Sequence, residues 1–454
     1  MGCLDMVVRS SFSFIPKDKF PFEKIKQDLV IETTNFVTGE DEMQIFYQED
    51  KNHWIVPRFY PLAKKLQIEK EIITEGQVID IRDSIDFRDD LQEKAYRFLT
   101  NLLTTGKILK APPGFGKTVI TIKALSHLKL KPLIIVPSVK LALQWRERFI
   151  QFTNLTEDDF YIASGILDDG ILDAKVVIAL VQTLTSRFCK QDPEIHKLMF
   201  KANFGVTVFD ECHTSVPTQK FHLANGLVYS KHVWGLSATP FKSDRRTKII
   251  YYHLGFDLFD EADYQMKPKI IEIEFDSMIP AKTKKWICWN NTFSFTRYLK
   301  KLYDSEVFKK LLLAIIRKLY QQNRNILILV KFVKSVDEFA KLIENELGVK
   351  VGRFYAGQPN DELQHQIIVA TKDSFKEGID VPKLDTLIFA DLIGGNRTAI
   401  EQVVGRILRK HENKQKPLAI FFADRGFDNL LAMHKNRCKV YDACGFEYEI
   451  KQIR

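Results

Sequence analysis

Four short apolar segments alternate with helix-like stretches between residues 86 and about 262, and this alternation limits the fold more than any other feature. The segments read KILKA (107–111), LIIVP (133–137), VVIAL (176–180) and VTVFD (206–210). A strand is apolar along its whole length only when both faces of its sheet are covered, as in a parallel sheet with helices on each side. The pattern therefore predicts a doubly wound α/β domain.

The same pattern returns in the second half of the chain. NILILV, QIIVAT, TLIFAD and LAIFF are again near-continuous apolar runs, separated by stretches with helical spacing. We therefore predict an α/β protein with two tandem doubly wound parallel-sheet domains, over residues 86–262 and 306–454. The mixed segment 263–305 is predicted to connect them. Residues 1–85 instead hold short alternating runs such as HWIVPRFY and GQVIDI, which predict a small β-rich module ahead of the first domain.

The composition is that of a soluble globular protein with several domains. The chain has 454 residues, of which 45% are hydrophobic and 28% charged. It has no apolar run of 18 residues, and its N-terminus lacks a basic stretch followed by an apolar one. The six cysteines are scattered without a C-x-x-C pair, so neither a zinc site nor a disulfide framework is expected. We expect a cytoplasmic protein without a membrane span.

The formal net charge of +9 is distributed unevenly. Residues 1–84 carry 11 basic and 15 acidic side chains, whereas residues 241–454 carry 37 basic and 28 acidic ones. A basic excess in the later part of the chain favours a polyanionic partner there. Lysine-rich solvated helices are the alternative explanation.

Residues 111–118 read APPGFGKT and follow directly on an apolar segment. They match the phosphate-binding pattern G-x-x-x-x-G-K-[ST] except that Ala111 replaces the first glycine. In such a loop the backbone N–H groups and the start of the next helix bind a polyphosphate. Lys117 would contact the β- and γ-phosphates, and the Thr118 hydroxyl would ligate Mg²⁺. The remaining nucleotide-binding candidates are Pro113, Gly114, Phe115 and Gly116.

A second motif, DECH, ends the apolar segment 206–210. Asp210 can hold Mg²⁺ together with Thr118, partly through water, and Glu211 can act as general base for the attacking water. An Asp-Glu pair after a strand is common and is usually a solvated turn. Combined with APPGFGKT in one domain, it predicts an ATP-hydrolysing site.

The motifs APPGFGKT, DECH, GLSATP (235–240) and QVVGRILRK (402–410) resemble motifs I, II, III and VI of the superfamily 2 helicases, in the same order. LIIVPSVKLALQW resembles motif Ia, and VVIALVQTL resembles the nucleic-acid contact motif that follows it. ILILVKFV resembles motif IV, and IIVATKDSFKEGIDVPKLDTLIFAD resembles motif V. The resemblance covers roughly residues 86–425. It implies two RecA-like domains and an ATP-dependent helicase that uses ATP and Mg²⁺.

In this family ATP binds between the two domains, and the resemblance assigns further residues to that site. It implies that Gln402, Arg406 and Arg409 act on the γ-phosphate from the second domain and that Asp380 contacts the nucleotide. His213, Ser237 and Thr239 would couple the nucleotide state to domain movement. Gln92 would contact adenine, although Leu91 replaces the usual aromatic residue and Arg88 lies one position early.

The resemblance also implies a nucleic-acid track gripped through its phosphates rather than its bases. The residues at the matching positions are Ser138, Lys140, Gln182 and Thr183 in the first domain, Lys242 after GLSATP, and Lys331, Thr371 and Lys372 in the second domain. Ser138 replaces the usual threonine and keeps its hydroxyl.

The continuation of GLSATP into FKSD resembles the XPB/UvsW-like group of superfamily 2. That resemblance implies a monomeric, phage-type DNA helicase that unwinds forks or migrates four-way junctions in recombination, repair or replication. The N-terminal module would then engage DNA, or it would only cover the first domain with residues such as Trp54, Phe59 and Tyr60. Three alternatives stay open: an RNA helicase, the motor of a restriction system that translocates on duplex without unwinding, and a nucleic-acid-binding scaffold with a vestigial ATPase.

Overall fold

The computed structural model of the protein describes most of the chain. The chain forms two compact units, residues 1–263 and residues 264–454. The described residues are 6–34, 41–112, 114–190, 193–216, 218–238, 246–260, 266–289, 292–355, 358, 360–372, 374, 381–408, 411 and 414–453. Within these ranges no helix is both long enough and apolar enough to cross a bilayer.

The first unit begins with a β-rich part. Its strands and helix are β1 (Met6–Arg9), β2 (Phe12–Pro16), α1 (Phe22–Leu29), β3 (Val30–Thr34), β4 (Asp41–Ile45), β5 (Gln48–Glu49), β6 (His53–Pro57) and β7 (Gln67–Glu71). Five strands form a sheet in the order β5-β6-β2-β1-β7, and β3 and β4 form a separate antiparallel pair. The predicted β-rich start of the chain is confirmed.

The first large sheet follows in the order β10-β11-β9-β12-β13-β8-β14, with every pairing parallel. Its strands are β8 (Gly106–Lys110), β9 (Pro132–Val136), β10 (Phe160–Ala163), β11 (Val176–Leu180), β12 (Val206–Asp210), β13 (His232–Ser237) and β14 (Asp257–Phe259). The helices are α2 (Asp90–Thr100), α3 (Lys117–Leu128), α4 (Val139–Phe152), α5 (Gly170–Asp173), α6 (Val181–Cys189), α7 (Pro193–Lys201), α8 (Cys212–Ser215), α9 (Gln219–Ala224) and α10 (Thr247–Leu254). Alternate residues of these strands belong to two different apolar clusters. The sheet therefore has a separate apolar core on each face.

The second unit repeats this architecture with the order β19-β20-β18-β21-β22-β15-β23, again all parallel. The strands of this sheet are β15 (Lys269–Phe275), β18 (Ile326–Val330), β19 (Gly352–Phe354), β20 (Ile367–Thr371), β21 (Thr386–Phe389), β22 (Leu418–Asp424) and β23 (Glu447–Gln452). Two further strands, β16 (Cys288–Trp289) and β17 (Thr292–Phe293), form a separate antiparallel pair. The helices are α11 (Ala281–Ile287), α12 (Phe295–Asp304), α13 (Glu306–Gln321), α14 (Val333–Leu347), α15 (Arg397–Val404) and α16 (Asp428–Cys444). The predicted fold class, two tandem parallel-sheet domains, is confirmed.

The segment 263–305, predicted as a connector, contributes β15 to the second sheet between β22 and β23. A buried ionic network explains why β15 is held there. Glu272 accepts hydrogen bonds from Arg437 Nε at 2.7 Å and from Tyr441 at 2.7 Å, and it lies 3.0 Å from Nδ1 of His434. Burial alone raises the pKa of Glu272, but these partners, chiefly Arg437, lower it to about 2.

The β-rich part is packed against the first α/β domain. The backbone N–H of Phe59 donates to the carbonyl of Tyr252, and the rings of Tyr60 and Tyr252 lie 5.2 Å apart. The buried Arg58 guanidinium donates from Nη1 to the carbonyl of Ser230 at 2.6 Å and from Nη2 to that of Lys231 at 3.3 Å. These carbonyls immediately precede β13, so the β-rich part and the sheet share one compact unit.

Arg58→Ala should lower the free energy of unfolding of the first unit by about 2 kcal/mol, because two buried carbonyls lose charged donors. Urea denaturation followed by circular dichroism measures the change. Arg82→Ala is the control, because that side chain is mostly exposed and, among the described residues, forms its ion pair with exposed Asp80. Equal free energies of unfolding for the two variants would contradict the stabilising role of the buried Arg58 guanidinium.

Candidate functional site

Three neighbouring strands of the first sheet bring the APPGFGKT, DECH and SAT motifs together at their C-terminal ends. In the β8–β13 pairing Ser237 lies opposite Lys110, and in the β12–β13 pairing Asp210 lies opposite Leu236. The chain leaves β8 into APPGFGKT, β12 into DECH and β13 into the SAT segment. Parallel pairing therefore places the three loops along one edge, where ligands bind in open α/β sheets.

The glycine loop has the backbone geometry that its sequence predicts. Gly114 and Gly116 have φ values of 83° and 95°, which glycine adopts without strain. A Cβ atom at Gly116 would lie 2.9 Å from Nε2 of Gln92, so the position also lacks room for a side chain. Gly116 precedes α3, which begins at Lys117 and directs its N-terminus toward the loop.

Ala111 fits the position where the pattern expects the first glycine. It is buried, its N–H donates to the carbonyl of Ser237 at 3.1 Å, and it is absent from the described residues with positive φ. A methyl group there is therefore compatible with the loop. The Lys117 ammonium donates to the carbonyls of Ala111 at 2.7 Å and Pro112 at 3.3 Å, which holds it over the loop.

Arg88 and Gln92 contact the outer side of the glycine loop. Gln92 Nε2 donates to the carbonyl of Phe115 at 2.7 Å, and Arg88 Nη2 donates to the carbonyls of Gly114, at 3.0 Å, and Phe115. The Arg88 backbone N–H donates to Oε1 of Gln92 at 2.9 Å, which links the two side chains. The shift of Arg88 by one position thus leaves it in contact with the loop, and the adenine contact of Gln92 stays a prediction.

Asp210 is a buried carboxylate with a specific donor. Its Oδ2 accepts a hydrogen bond of 2.7 Å from Nε1 of the buried Trp145, and its Oδ1 accepts the Glu211 backbone N–H at 2.9 Å. Burial and the neighbouring Glu211 charge raise the pKa of Asp210 to about 6, while Trp145 and Lys117 oppose that rise. A positive ion at this carboxylate would favour its ionised form.

Glu211 has φ 49° and ψ 44°, a left-handed conformation that is unusual for a residue with a long side chain. Such strain often occurs at functional positions. Its Oε2 lies 3.4 Å from Nδ1 of His213, and the same nitrogen lies 2.8 Å from Oγ of Ser237. The predicted base and two predicted coupling residues are therefore connected in one network.

The predicted nucleic-acid contacts in the first unit have structural partners. Ser138 caps α4 by accepting the Leu141 N–H at 3.4 Å, and Gln182 donates to the carbonyl of Pro137 at 3.1 Å. Thr183 is buried, and its hydroxyl accepts the Gly165 N–H at 2.8 Å. Lys140 lies in the first turn of α4, beside Ser138.

In the second unit the predicted residues follow β18 and β20 or lie near the end of α15. Lys331 is exposed directly after β18, the hydroxyls of Thr371 and Ser374 are 2.6 Å apart, and Lys372 Nζ lies 5.4 Å from the Phe389 ring. Gln402 lies in α15, which ends at Val404. Arg406 lies in the 3₁₀ turn Gly405–Ile407 that follows, so the predicted helix through this motif is shorter than expected.

Five predicted site residues lie outside the described residues. They are Pro113, Thr239, Lys242, Asp380 and Arg409.

The donor set is suited to a Mg–nucleotide complex. Among the described residues no group of three His, Cys, Asp or Glu side chains could hold a metal by itself. Mg²⁺ in nucleotide sites takes one or two protein ligands and completes its shell with phosphate oxygens and water. Asp210 and Thr118, at the ends of β12 and the glycine loop, satisfy that requirement, so the residues fit the predicted cofactors.

Two protein-family descriptions match the chain. Residues 85–242 match "Type III restriction enzyme, res subunit", and residues 306–411 match "Helicase conserved C-terminal domain". Both matches fall on the parallel sheets just described, one in each unit. The chain is a helicase of the superfamily 2 type.

Curated relatives and solved structures agree with this result. The helicase is 26% identical to "Putative ATP-dependent RNA helicase L396" of Acanthamoeba polyphaga mimivirus, over 92% of this chain and 81% of that one. It is 24% identical to "DNA 3'-5' translocase XPB2" of Sulfurisphaera tokodaii, over 78% and 87% of the two chains. The structure of Saccharomyces cerevisiae Dbp5 bound to RNA and ADP BeF3 matches with a TM-score of 0.53 at 16% identity, over 80% and 89%, which supports the fold.

Trp145 was not identified as a site residue from the helicase sequence. Its place in LALQW, on the sheet-facing side of α4, is typical of a core aromatic, and the structure does bury it completely. The relevant signal is the indole N–H, because a buried donor requires an acceptor. Sequence spacing alone does not show that the acceptor is Asp210.

Trp145→Phe should move the acidic limb of the pH profile of ATP hydrolysis upward by about one pH unit. The indole hydrogen bond lowers the pKa of Asp210, and only the ionised carboxylate holds a metal ion, so activity is lost as the pH falls through that pKa. Steady-state hydrolysis between pH 5 and 9 measures the profile.

Trp234→Phe is the matched control for this experiment. Trp234 is also fully buried in the first sheet, and its indole nitrogen has no hydrogen-bond partner in the described part of the chain. Its pH profile should match that of the wild type. An identical displacement in both variants would mean that Trp145 acts through packing alone.

Proposed function

We propose that this helicase is an ATP-dependent DNA translocase that unwinds forks and remodels four-way junctions. The observation that carries the proposal is the convergence of the glycine loop, Asp210 and Glu211 at one edge of a parallel sheet. A vestigial ATPase has no need of a buried carboxylate and a strained acid beside an intact phosphate loop.

In the proposed mechanism the glycine loop and Lys117 bind the β- and γ-phosphates. Thr118 and Asp210 hold Mg²⁺, which supplies charge neutralisation on the phosphate oxygens when bound. Glu211 orients and deprotonates the attacking water, and its contact with His213 holds the carboxylate in place. Ser237, whose hydroxyl lies 2.8 Å from the same His213 nitrogen, carries the nucleotide state into β13.

The second unit supplies the remaining groups of this proposal. Gln402, Arg406 and Arg409 stabilise the transferring phosphoryl group, as finger arginines do in related enzymes. Asp380 and Thr239 keep the nucleotide-binding and coupling roles that the helicase resemblance implies.

DNA is proposed as the track because the relative from Sulfurisphaera tokodaii is named a DNA 3'-5' translocase. The basic excess of residues 241–454 supports a polyanionic track of either kind. Hydroxyl, amide and ammonium groups that can donate to phosphate are present at Ser138, Lys140, Gln182 and Lys331, and at the other positions named above for the track. Branched DNA follows from the resemblance to the XPB/UvsW-like group.

RNA is the second candidate track, because the mimivirus relative is named an RNA helicase. The same phosphate-gripping residues would serve either nucleic acid, so the chain's motifs do not separate the two. The choice between them therefore depends on direct comparison of substrates.

ATP hydrolysis by the wild type should be stimulated by forked DNA more than by single-stranded DNA, and little by RNA. Steady-state assays with length-matched forks, single strands, duplexes and RNA measure the order. Stronger stimulation by RNA would favour the second candidate, and no stimulation by any of them would contradict translocation itself.

Glu211→Gln should reduce ATP turnover by about 100-fold or more while ATP and Mg²⁺ still bind, because only the base is lost. Single-turnover hydrolysis and fluorescent-nucleotide binding separate the two effects. Glu147→Gln, an exposed position on α4, is the matched control. Wild-type turnover in Glu211→Gln would show that Glu211 is not the general base.

Lys117→Ala should abolish ATP hydrolysis, because Lys117 contacts the phosphates of the nucleotide, and it should leave DNA binding intact.

A further inference from the structure

The start of the second unit carries an exposed surface of aromatic and basic side chains that the ATPase mechanism does not use. We define the α11–α12 face by Lys282, Lys285 and Trp286 on α11, and Phe295 and Arg297 on α12. Trp286 is 42% exposed and Phe295 is 50% exposed, which is unusual for aromatic residues of this size.

Helical spacing explains why these side chains share one surface. Lys282, Lys285 and Trp286 are three and four residues apart and lie on the solvent side of α11. The next residue, Ile287, is fully buried, and Lys284 points inward to donate to the carbonyl of Gly426 at 3.2 Å. The apolar side of α11 is therefore already occupied by the core, and the exposed side has no packing role.

The aromatic residues of the face are held by ordered contacts. Arg297 lies 5.0 Å from the Trp286 ring centre, and its Nη1 donates to the Trp286 carbonyl at 2.9 Å. Phe295 meets the buried Phe293 edge to face at 5.2 Å. Phe293 in turn packs against Phe427, with ring centres 5.6 Å apart. A preorganised aromatic surface loses little side-chain entropy when it binds a ligand.

The chain segment that forms the face carries charge of one sign. Residues 280–303 contain six lysines and arginines and no aspartate or glutamate. Asp304, the first acid beyond them, lies 3.6 Å from Lys301 rather than from the face. Within the described residues, no carboxylate forms an ion pair with Lys282 or Lys285. The face therefore requires an anionic partner that also offers flat apolar surfaces.

We propose that the α11–α12 face binds single-stranded nucleic acid, with a base stacked on Trp286 and the adjoining phosphates at Lys282 and Lys285. This inference rests on the proposed function and adds to it a binding site outside the helicase motifs. Single strands combine a regular anionic backbone with unstacked bases, and proteins bind them through aromatic platforms in basic grooves. Duplex bases are already stacked on one another, so the face favours the separated strand.

Trp286→Ala should weaken binding of a fluorescein-labelled 20-nucleotide oligo-dT by about tenfold, because stacking contributes about 1–3 kcal/mol per base. Trp286→Phe should retain most of the affinity, since it keeps an aromatic surface. Lys282→Ala with Lys285→Ala should reduce the dependence of log Kd on log salt by about 1.4, which is about 0.7 for each lost phosphate contact. Fluorescence anisotropy across a salt series measures all three, and oligo-U in place of oligo-dT compares RNA with DNA.

Phe256→Ala is the matched control for loss of an exposed aromatic. Phe256 is 43% exposed, lies stacked on Tyr251 at 5.7 Å, and is followed by the acidic Asp257. Its affinity for oligo-dT should equal that of the wild type. The basal ATPase rate of Trp286→Ala, measured without nucleic acid, should also be unchanged, because no ATP-site residue is altered.

The outcomes separate the two proposals. If the wild type binds oligo-dT and Trp286→Ala binds it equally well, the α11–α12 face is not a binding site and the proposed function stands. If duplex affinity falls as much as single-strand affinity, the preference for a separated strand is wrong. If the wild type binds no nucleic acid and none stimulates its ATPase, both proposals fail.

Discussion

Parallel pairing of β12, β13 and β8 is the constraint on which the rest of the first unit depends. Each strand is too buried to slide, because a shift of one residue would turn its side chains into the opposite core. With the register set, Ser237 lies opposite Lys110 and Asp210 opposite Leu236, so the loops that follow must share one edge. The indole of Trp145 then donates to the Asp210 carboxylate, and the Lys117 charge lies near enough to lower the pKa of that group.

The sequence was sufficient for the architecture because its signals were local and repeated. Segments such as LIIVP and ILILV are apolar throughout, and both became fully buried parallel strands. The segment 263–305 was harder, since KIIEIEF contains charged residues that read as a surface strand. Glu272 is accommodated in the interior because Arg437, Tyr441 and His434, all far along the chain, contact it there. A long-range ion pair of this kind leaves no trace in local pattern.

The candidate site likewise has parts that short motifs predict and parts that depend on long-range contacts. The glycine loop, Asp210 and Glu211 were predictable because backbone geometry and charge at strand ends follow from short motifs. The contacts of Arg88 with Gly114 and of Trp145 with Asp210 were not, since each joins elements separated by many residues. Thr183 adds another such contact: its hydroxyl accepts the Gly165 N–H, which its motif does not reveal, and its predicted nucleic-acid contact stays a prediction.

The backbone at Glu211 has a consequence for how this position responds to mutation. A left-handed conformation is occupied most readily by glycine and, among other residues, by asparagine. Replacement of Glu211 by either would relieve strain and strengthen the folded state while removing the carboxylate from the site. A variant library sorted for thermal tolerance alone would therefore enrich inactive chains at position 211, whereas sorting for catalysis would retain the strained acid. Stability and activity are in direct competition at this residue.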